Sequence, residues 1–422
     1  MDAVVGNERY IRRLIDPLLD ELFSAVPAVL LAGPRACGKT TTARRRANGV
    51  LQLDRAGDAT LVRADADVAL EVRDEPLLID EWQAVPEVLG AVKRAVDADP
   101  RPGRFLLTGS TGEDLGSAGC PATGRVVRVP LWGVSERELE GDVTAMSLLD
   151  RLRDSGVDAL EQVRNAPDLR SYVERAIRGG QPEIARQASE RARIALLDSY
   201  VDQATGRDLS PLGAARDPVR LRRYLAACAA NTAGVVQHKI LYDAAEVSRN
   251  TALLYDTSLE STFITERIPA WSGGHLRRQT SAPKRYLIEP ALLRPLLGID
   301  ERAALRHADI LGRLIDTFVA AQLRPELSVA AGSPRLYHLR EANGRHEIDL
   351  IAEFAGGPLS AFAVKATATP SRHDARHLAW LRDELGDRFI AGIVLHTGPA
   401  TVALGDRIAA TPIAAIWDTK SH

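Results

Sequence analysis

Cysteine, aromatic side chains and long apolar runs are all scarce in this chain of 422 residues. The three cysteines, Cys37, Cys120 and Cys228, are odd in number and far apart. This excludes a disulfide framework and a cysteine-based zinc site, and it suits a reducing compartment. No stretch approaches the roughly 18 apolar residues of a membrane helix, and the charged start does not resemble a signal peptide. We therefore expect a soluble cytoplasmic protein.

An excess of charge of either sign is also missing. Lys and Arg number 54 against 56 Asp and Glu, so the formal net charge is −2 and no global basic field points to nucleic acid. Hydrophobic residues at 45% and charged residues at 26% are ordinary values, which exclude a mainly disordered protein. At about 150 residues per domain, this length predicts several domains.

Short apolar runs separated by helical patterns dominate the first third of the chain. Such runs are typical of strands buried on both faces, and their alternation with helices predicts a parallel sheet. The runs lie at residues 28–32, 51–54, 76–80, 104–108 and 126–130. We assign them to an α/β domain at residues 1–142.

The remainder divides into a helical part and a second α/β part. Charged helical patterns fill residues 143–215, and a small helical module with a strand-like hairpin is predicted at 216–280. Strands return in residues 281–422, with helices predicted at 312–327 and 371–385. The predicted fold class is therefore α/β, with a helical region between two α/β parts.

A glycine-rich loop follows the first apolar run. Residues 33–40, Gly-Pro-Arg-Ala-Cys-Gly-Lys-Thr, fit the G-x-x-x-x-G-K-[ST] pattern between a buried strand and a helix. Glycines allow the backbone to approach phosphate oxygens, and N–H groups at the helix start supply positive charge. We expect Lys39 to reach the β- and γ-phosphates of ATP and Thr40 to ligate Mg²⁺. The candidate nucleotide-binding residues are Gly33, Pro34, Arg35, Ala36, Cys37, Gly38, Lys39, Thr40 and Thr41.

Two acids end a later apolar run. We expect Asp80 to hold Mg²⁺ through water and Glu81 to polarise the attacking water. Acids are common at strand ends, but here they follow the glycine-rich loop by about 40 residues, and the combination is typical of a nucleotide-hydrolysing site.

Two further residues have open assignments. Ser110 ends the next strand, where it could sense the γ-phosphate or belong to an ordinary turn. Arg125 precedes the fifth strand, where it could be an arginine finger that acts on a neighbouring subunit or a structural surface residue.

The order of these motifs resembles a known family. The motifs are the loop at 33–40, Leu-Ile-Asp-Glu-Trp-Gln-Ala-Val-Pro at 78–86, Phe-Leu-Leu-Thr-Gly-Ser at 105–110 and Gly-Arg at 124–125. They look like those of prokaryotic AAA-type ATPases that carry a C-terminal domain of unknown function with a restriction-endonuclease-like signature. Gly-Gly-Gln-Pro-Glu at 179–183 and Arg207-Asp208 resemble later steps of that family.

The resemblance covers nearly the whole chain and implies an identity for each part. The implied parts are an AAA-type P-loop ATPase domain at 1–142, a helical lid at 143–215, a winged-helix-like module at 216–280 and a restriction-endonuclease-like domain at 281–422. The implied ligands are ATP and Mg²⁺.

Residues 240–251 favour two helices joined by a tight turn, with Ser248 capping the second helix. DNA binding would require cations that face phosphates. Residues 238–262 hold two cations against four acids, whereas residues 263–285 hold five cations against one acid. The candidate DNA contacts are therefore Arg267, Arg277, Arg278, Lys284 and Arg285. The alternative is a packing or protein-interaction module.

The resemblance also implies a nuclease-like site in the C-terminal domain. Such cores place an acid on the first helix, an Asp on the second strand and Glu-x-Lys on the third, as ligands for Mg²⁺. Here the matching residues are Asp316, Asp349 and Lys365, but Ala363 stands where the Glu is expected. We therefore expect an inactive nuclease-like fold in which Asp349 and Lys365 pair, with Glu347 as a less favoured substitute ligand.

These observations favour an ATP-binding protein that hydrolyses ATP with Mg²⁺ as a conformational switch. The switch would be coupled to a nuclease-inactive C-terminal domain, with nucleic acid, a partner protein or a second copy as possible partners. Two alternatives stay open. One is an active ATP-dependent nuclease, and the other is a DNA-binding regulator or antitoxin that does not hydrolyse ATP.

Overall fold

A computed structural model describes residues 10–110, 124–206, 217–271, 273, 282–341 and 345–418. The motif residues Arg207 and Asp208 and the candidate DNA contacts Arg277 and Arg278 lie outside the described residues. Within those ranges, no helix combines the length and apolar character that crossing a membrane requires.

The N-terminal part contains a five-stranded parallel sheet. Its strands are β1 (Ala28–Ala32), β2 (Gly49–Gln52), β3 (Leu77–Asp80), β4 (Phe105–Gly109) and β5 (Val126–Pro130). The order across the sheet is β2-β3-β4-β1-β5, so β4 lies between β1 and β3. Every residue of β1, β3 and β4 is buried, as predicted for strands covered on both faces.

Several helices cover this parallel sheet. They are Asp16–Ala25, Lys39–Arg44, Ala56–Ala64, Ala66–Glu71 and Val88–Ala98. The last of these buries Val88, Leu89, Val92 and Val96, a helical spacing of apolar residues. Because the strands are parallel, the segments that follow β1, β3 and β4 all leave the sheet at the same edge.

The middle of the chain is helical and ends in a hairpin. Its helices are Glu136–Glu140, Leu148–Ser155, Leu169–Arg178, Pro182–Arg186, Glu190–Gly206, Pro218–Ala230, His238–Ala244 and Arg249–Ser261. Ser248 accepts a hydrogen bond from the Thr251 N–H at 3.1 Å, which confirms the predicted cap. Strands β6 (Thr265–Ile268) and β7 (Lys284–Leu287) pair antiparallel as the β6–β7 hairpin. The boundary predicted at residue 280 falls between these paired strands.

The C-terminal part contains a six-stranded mixed sheet in the order β12-β13-β11-β10-β9-β8. The strands are β8 (Arg335–Arg340), β9 (Glu347–Glu353), β10 (Leu359–Lys365), β11 (Phe389–His396), β12 (Val402–Gly405) and β13 (Ile408–Pro412). Sequence patterns predicted β8 to β11 and missed the last two. Strand β12 is a short, largely exposed edge strand, and β13 is rich in alanine, which has low strand propensity.

A long helix, Ala308–Val329, connects the two sheets. The other helices of the C-terminal half are Leu293–Leu297, Glu301–Arg306 and Arg376–Leu385. The Gln322 side chain accepts from the Glu136 N–H at 2.8 Å. The Glu326 carboxylate binds the Arg137 guanidinium at 2.9 Å, with both side chains only 1% exposed. The long helix is therefore fastened to the segment that leaves the N-terminal sheet.

Candidate functional site

The glycine-rich loop follows the buried strand β1. Two of its positions require glycine. A Cβ atom on Gly33 would lie 1.9 Å from the Leu131 carbonyl oxygen. Gly38 has a φ of +99°, in the left-handed region that favours glycine. Helix Lys39–Arg44 begins directly after it, so the first N–H groups of the helix have no partner within the helix. This is the backbone arrangement that binds phosphate.

Lys39 is a buried cation without a counter-charge. Its ammonium donates to the carbonyl oxygens of Gly33 at 3.0 Å and Pro34 at 2.7 Å, and the residue is 4% exposed. Among the described residues, no carboxylate forms an ion pair with it. Since a buried charge is stable only with a partner, the loop is suited to bind an anion.

The Arg13 side chain binds the backbone of the glycine-rich loop, and sequence reasoning did not identify it. Its guanidinium donates to the Cys37 carbonyl oxygen at 2.8 Å and to the Glu138 carboxylate at 3.0 Å. The residue is almost completely buried. No local motif marks Arg13, because its partners lie in distant segments of the sequence.

Asp80 is the complementary buried anion. It accepts hydrogen bonds from the hydroxyl groups of Thr40, at 2.7 Å, and Thr108, and it is 4% exposed. In the part of the chain that the structure describes, no cation pairs with this carboxylate. The structure thus brings together Thr40 and Asp80, the two predicted Mg²⁺ ligands, and their oxygens are of the type that Mg²⁺ prefers.

Thr108 belongs to the strand end, residues 108–110, where a polar residue was expected beside the two acids, but Ser110 was chosen as the candidate. The parallel pairing of Ile79 with Leu107 places Thr108 beside Asp80. Its hydroxyl oxygen also accepts from the Glu81 N–H at 3.2 Å. The signal for this residue is the strand order, which a single sequence does not reveal.

Glu81 lies next to Asp80 with an unusual backbone. Its φ is +54°, a conformation that is rare outside glycine and that occurs at functional sites. One carboxylate oxygen accepts from the Gln83 side-chain amide, and the other lies 3.5 Å from the Ser110 hydroxyl. Ser110 is therefore beside the predicted catalytic acid. Gln83, which sequence reasoning missed, holds the same carboxylate.

A chamber of about 570 Å³ opens in front of these groups. Glu81 and Ser110 line it from the N-terminal domain, and Tyr200 and Gln203 line it from helix Glu190–Gly206. Arg35 of the glycine-rich loop also lines the chamber and is the one cationic side chain among its described lining residues. The helical region therefore faces the side of the loop where the acids lie.

Arg125 lies at the amino-terminal end of the parallel strands, opposite the end from which the glycine-rich loop begins. It directly precedes β5, whose first residue, Val126, pairs with Ala28 at the start of β1. The glycine-rich loop begins after the end of β1, about 16 Å further along the strand direction. The Arg125 guanidinium lies 2.8 Å from the Asp97 carboxylate. Arg125 therefore cannot act on its own loop, and a role in a neighbouring subunit stays a prediction.

A second carboxylate pair occupies the C-terminal part. Asp316 of the long helix and Asp349 of β9 both bind the ammonium of Lys284, at 2.7 and 2.9 Å. The Tyr286 hydroxyl donates to Asp316 at 2.9 Å, and the Val364 N–H donates to Asp349 at 2.9 Å. The structure corrects one expectation here, because the partner of Asp349 is Lys284 and not Lys365.

The electrostatics of this pair follow from burial and from the shared lysine. Burial raises the pKa of Asp316 to about 6, against the opposing effect of Lys284. Burial also acts to raise the pKa of Asp349, but Lys284 and the Val364 N–H outweigh it and lower that pKa. For Lys284 the two carboxylates outweigh burial and raise its pKa. The lysine is therefore charged.

The other predicted nuclease-like residues line a cleft of about 430 Å³. Lys365, Asp316, Asp349 and Ala363 all border it. Glu347, the suggested substitute ligand, is exposed and lies 3.9 Å from Arg340. The cleft thus contains both predicted acids and the predicted lysine, but Asp316 and Asp349 are already bound to Lys284.

The three predicted DNA contacts that the structure describes are engaged with acids of the same chain. Lys284 is buried, so its ammonium cannot reach a phosphate backbone, and its assignment as a DNA contact was wrong. Arg285 makes two 2.7 Å bonds to Asp256, and Arg267 contacts Glu260. A DNA contact at Arg267 or Arg285 would require these acids to be displaced, and it stays a prediction.

The parallel sheet, the glycine-rich loop and the acids beside it define a P-loop domain of the AAA class. The AAA domain family matches residues 25–140. Two domains of unknown function match the rest, DUF8612 at residues 169–303 and DUF4143 at 311–416.

Two curated proteins resemble almost the whole chain. They are the uncharacterized proteins Rv2008c of Mycobacterium tuberculosis and Mb2031c of Mycobacterium bovis. Each is 30% identical over 407 residues, which cover 94% of this chain and 82% of the relative. The chain therefore belongs to the same family as these mycobacterial proteins.

A solved structure with partial likeness is the Walker-type ATPase PABY2304 of Pyrococcus abyssi. It is 12% identical, with a TM-score of 0.38, and the match covers 70% of this chain and 99% of that one.

Proposed function

We propose that this protein binds ATP with Mg²⁺ and hydrolyses it, and that the nucleotide state changes how the AAA domain contacts the helical and C-terminal regions. In this proposal the C-terminal region does not cut nucleic acid. ATP hydrolysis is the activity, and the coupling makes it a conformational switch.

The observation that carries the proposal is the charge balance at the loop. Lys39 is a buried cation without an anion, and Asp80 is a buried anion without a cation, among the described residues. A phosphate would supply the anion for Lys39, and a divalent cation held by Thr40 and Asp80 would supply the missing positive charge. Both imbalances are therefore removed by the same ligand, a nucleotide phosphate with Mg²⁺.

The proposed reaction is in-line attack of water on the γ-phosphorus, with cleavage of the bond to the bridging oxygen and release of ADP and phosphate. Lys39 and the loop N–H groups bind the phosphates, and Arg35 stabilises the charge that develops on the γ-phosphate. Mg²⁺, when bound, offsets the negative charge of the phosphates. Glu81 accepts the proton of the water or orients it, and Ser110 holds Glu81 in place.

Gln83 restrains Glu81 before the reaction. Its side-chain amide donates to the carboxylate that must face the water. We infer that Gln83 fixes the orientation of Glu81, because the remaining lone pairs of the carboxylate can still accept from the attacking water.

Coupling to the rest of the chain is supported by contacts around the loop. A Cβ atom on Gly38 would lie 3.6 Å from Pro182 of the Gly-Gly-Gln-Pro step, so that segment packs on the loop. The Gly180 N–H donates to Glu289 at 2.8 Å, and the Gly180 carbonyl accepts from Val134. These contacts support the proposal that a change in the loop reaches the helical region.

The test is ATP turnover by the full chain with Mg²⁺, with and without duplex or single-stranded DNA. Glu81→Gln is expected to lower kcat by roughly 10²–10⁴-fold and to keep ATP binding, because only the general base is removed. Lys39→Ala is expected to lose both turnover and binding of a fluorescent ATP analogue. Arg35→Ala is expected to lower kcat more than it raises KM.

Glu87→Gln is a matched control, since Glu87 is exposed and lies outside the chamber. It should keep full turnover. ATP that binds tightly to a chain with no turnover under any condition would contradict the proposal and favour the DNA-binding regulator. Stimulation by DNA would identify nucleic acid as the partner.

A further inference from the structure

The cluster formed by Lys284, Asp316 and Asp349 has features of a metal site but a different cation. We propose that the Lys284 ammonium takes the place of a divalent cation between these carboxylates. The cluster is then a metal-independent joint that fastens the β6–β7 hairpin to the C-terminal sheet. This inference does not depend on the proposed ATP hydrolysis.

The carboxylate oxygens of Asp316 and Asp349 are all occupied by hydrogen-bond donors. Each of the two acids gives one oxygen to Lys284, at 2.7 and 2.9 Å. The second oxygen of Asp316 accepts from the Tyr286 hydroxyl and that of Asp349 from the Val364 N–H, both at 2.9 Å. All four oxygens therefore have a donor, and a metal ion would have to displace the lysine to reach them.

The Lys284 ammonium lies where a metal ion bound by these acids would lie. The Lys284 side chain is 2% exposed, and its ammonium also lies 3.4 Å from the Asp349 backbone carbonyl oxygen. Two carboxylate oxygens and a carbonyl oxygen are ligands that Mg²⁺ or Mn²⁺ would use. Here these oxygens surround an ammonium group, which is also a hard cation but cannot act as a Lewis acid.

Few other groups that the structure describes near the cluster could complete the ligand set of a metal. Ala363 contributes a methyl group where a nuclease-like core would have a carboxylate. Throughout the described ranges, no group of three or more His, Cys, Asp or Glu side chains is arranged to hold a metal ion. The residues present therefore do not fit a nuclease metal, and they do fit a lysine.

The cluster also joins two parts of the chain. Lys284 belongs to the region matched by DUF8612, whereas both acids belong to the region matched by DUF4143. His338 of β8 adds a contact to the same segment, because its Nε2 lies 3.1 Å from the Ala282 carbonyl oxygen. The β6–β7 hairpin is thus held on the C-terminal sheet by a charge pair and by a neighbouring hydrogen bond.

The test is Mn²⁺ binding to the nucleotide-free full chain, measured by electron paramagnetic resonance. The variants are Asp349→Asn, Lys284→Ala, the double variant and, as a matched control, exposed Lys239→Ala. We expect wild type, Asp349→Asn and Lys239→Ala to bind Mn²⁺ alike. Lys284→Ala is expected to gain one additional weak site, formed by the oxygens that Lys284 had bound, and the double variant to lose it.

A second measurement covers the case in which Lys284→Ala does not fold. The shift of the thermal unfolding midpoint between Mn²⁺ and a chelator should be the same in wild type and in Asp349→Asn, because no metal supports the cluster. Mn²⁺ binding or Mn²⁺-dependent DNA cleavage by wild type that Asp349→Asn abolishes would overturn the proposal. A folded Lys284→Ala chain without a new Mn²⁺ site would overturn it as well.

Discussion

This chain contains two pairs of neighbouring acids, and their surroundings differ. Asp80 and Glu81 are surrounded by hydroxyl and amide groups, and the described residues supply no cation to them. Asp316 and Asp349 share a buried lysine. The first pair retains a charge that a ligand can neutralise, whereas the charge of the second is offset within the protein itself.

The difference shows that residue type alone does not define a metal or catalytic site. Both pairs consist of carboxylates of the kind that bind Mg²⁺, and both could be found from the sequence. Their capacity for chemistry depends on whether another side chain has already taken the position of the cation. Beside Asp80 the neighbouring side chain is the uncharged Thr40, whereas between Asp316 and Asp349 it is the cationic Lys284.

The same substitution at Lys284 and at Lys39 tests whether the two carboxylate pairs differ in their need for a lysine. Lys284→Met should lower the free energy of unfolding by about 3–5 kcal/mol, because two buried acids lose their shared partner. Lys39→Met should change it by less than about 1 kcal/mol, since no buried anion depends on Lys39. Urea unfolding followed by circular dichroism would measure both values.

Lys284→Met combined with Asp349→Asn serves as the control, because it removes one of the two unpaired charges. It should recover part of the lost stability. Equal losses at Lys39 and Lys284 would show that Asp316 and Asp349 do not depend on Lys284 for their stability in the folded protein.

The dependence of stability on pH tests the electrostatic surroundings of Asp316 and Asp349. Burial lowers the pKa of His338 from 6.5 to about 4, with Lys284 among the charges that add to the effect. Between these values the unfolded chain binds a proton that the folded chain does not, so this contribution to stability is complete above pH 6.5 and is lost as the pH falls to 4. The expected loss is roughly 3 kcal/mol.

Because Asp316 titrates in the same range with the opposite sign, the quantity to measure is the difference between wild type and His338→Gln. The stability of the variant relative to wild type should rise as the pH falls from 7 to 4. His373→Gln, at an exposed position, is the matched control and should follow wild type. A difference that does not change with pH would refute the assignment.

A smaller effect, on ATP turnover, is expected when the Thr108 hydrogen bond to Asp80 is removed. Thr108→Val keeps the shape of the side chain and removes a hydrogen bond to the buried Asp80 carboxylate. A hydrogen bond to a charged group contributes about 1.5–3 kcal/mol, so kcat for ATP should fall by roughly 10–100-fold. Thr60→Val, on an exposed helix surface, should keep wild-type turnover. Unchanged turnover in Thr108→Val would exclude a role for this contact.

The N-terminal sheet and its loop could be predicted from the sequence because their signals are local. Strands β1 and β5 lie where the apolar runs predicted them, and the other three are displaced by one or two residues. The loop residues 33–41, together with Asp80, Glu81 and Ser110, are contiguous motifs at strand ends. Parallel strands bring these motifs to one edge without further information.

The residues that sequence reasoning missed depend on contacts between distant segments. Arg13 reaches the loop from the start of the chain, and Thr108 meets Asp80 only through the strand order. Lys284 looked like a surface cation because its neighbours in sequence are basic, yet its partners lie 32 and 65 positions away. Burial of that kind is set by packing, which local patterns do not encode.

The long helix, Ala308–Val329, also bears on how this architecture can evolve. Glu326 and Gln322 face Arg137 and Glu136 of the N-terminal part, while Asp316, on the same helix, faces the β6–β7 hairpin. An exchange of AAA domains between relatives would separate a buried arginine from its carboxylate unless the matching helix were inherited with it. The three regions are therefore expected to diverge as one unit, with compensating changes on this single helix.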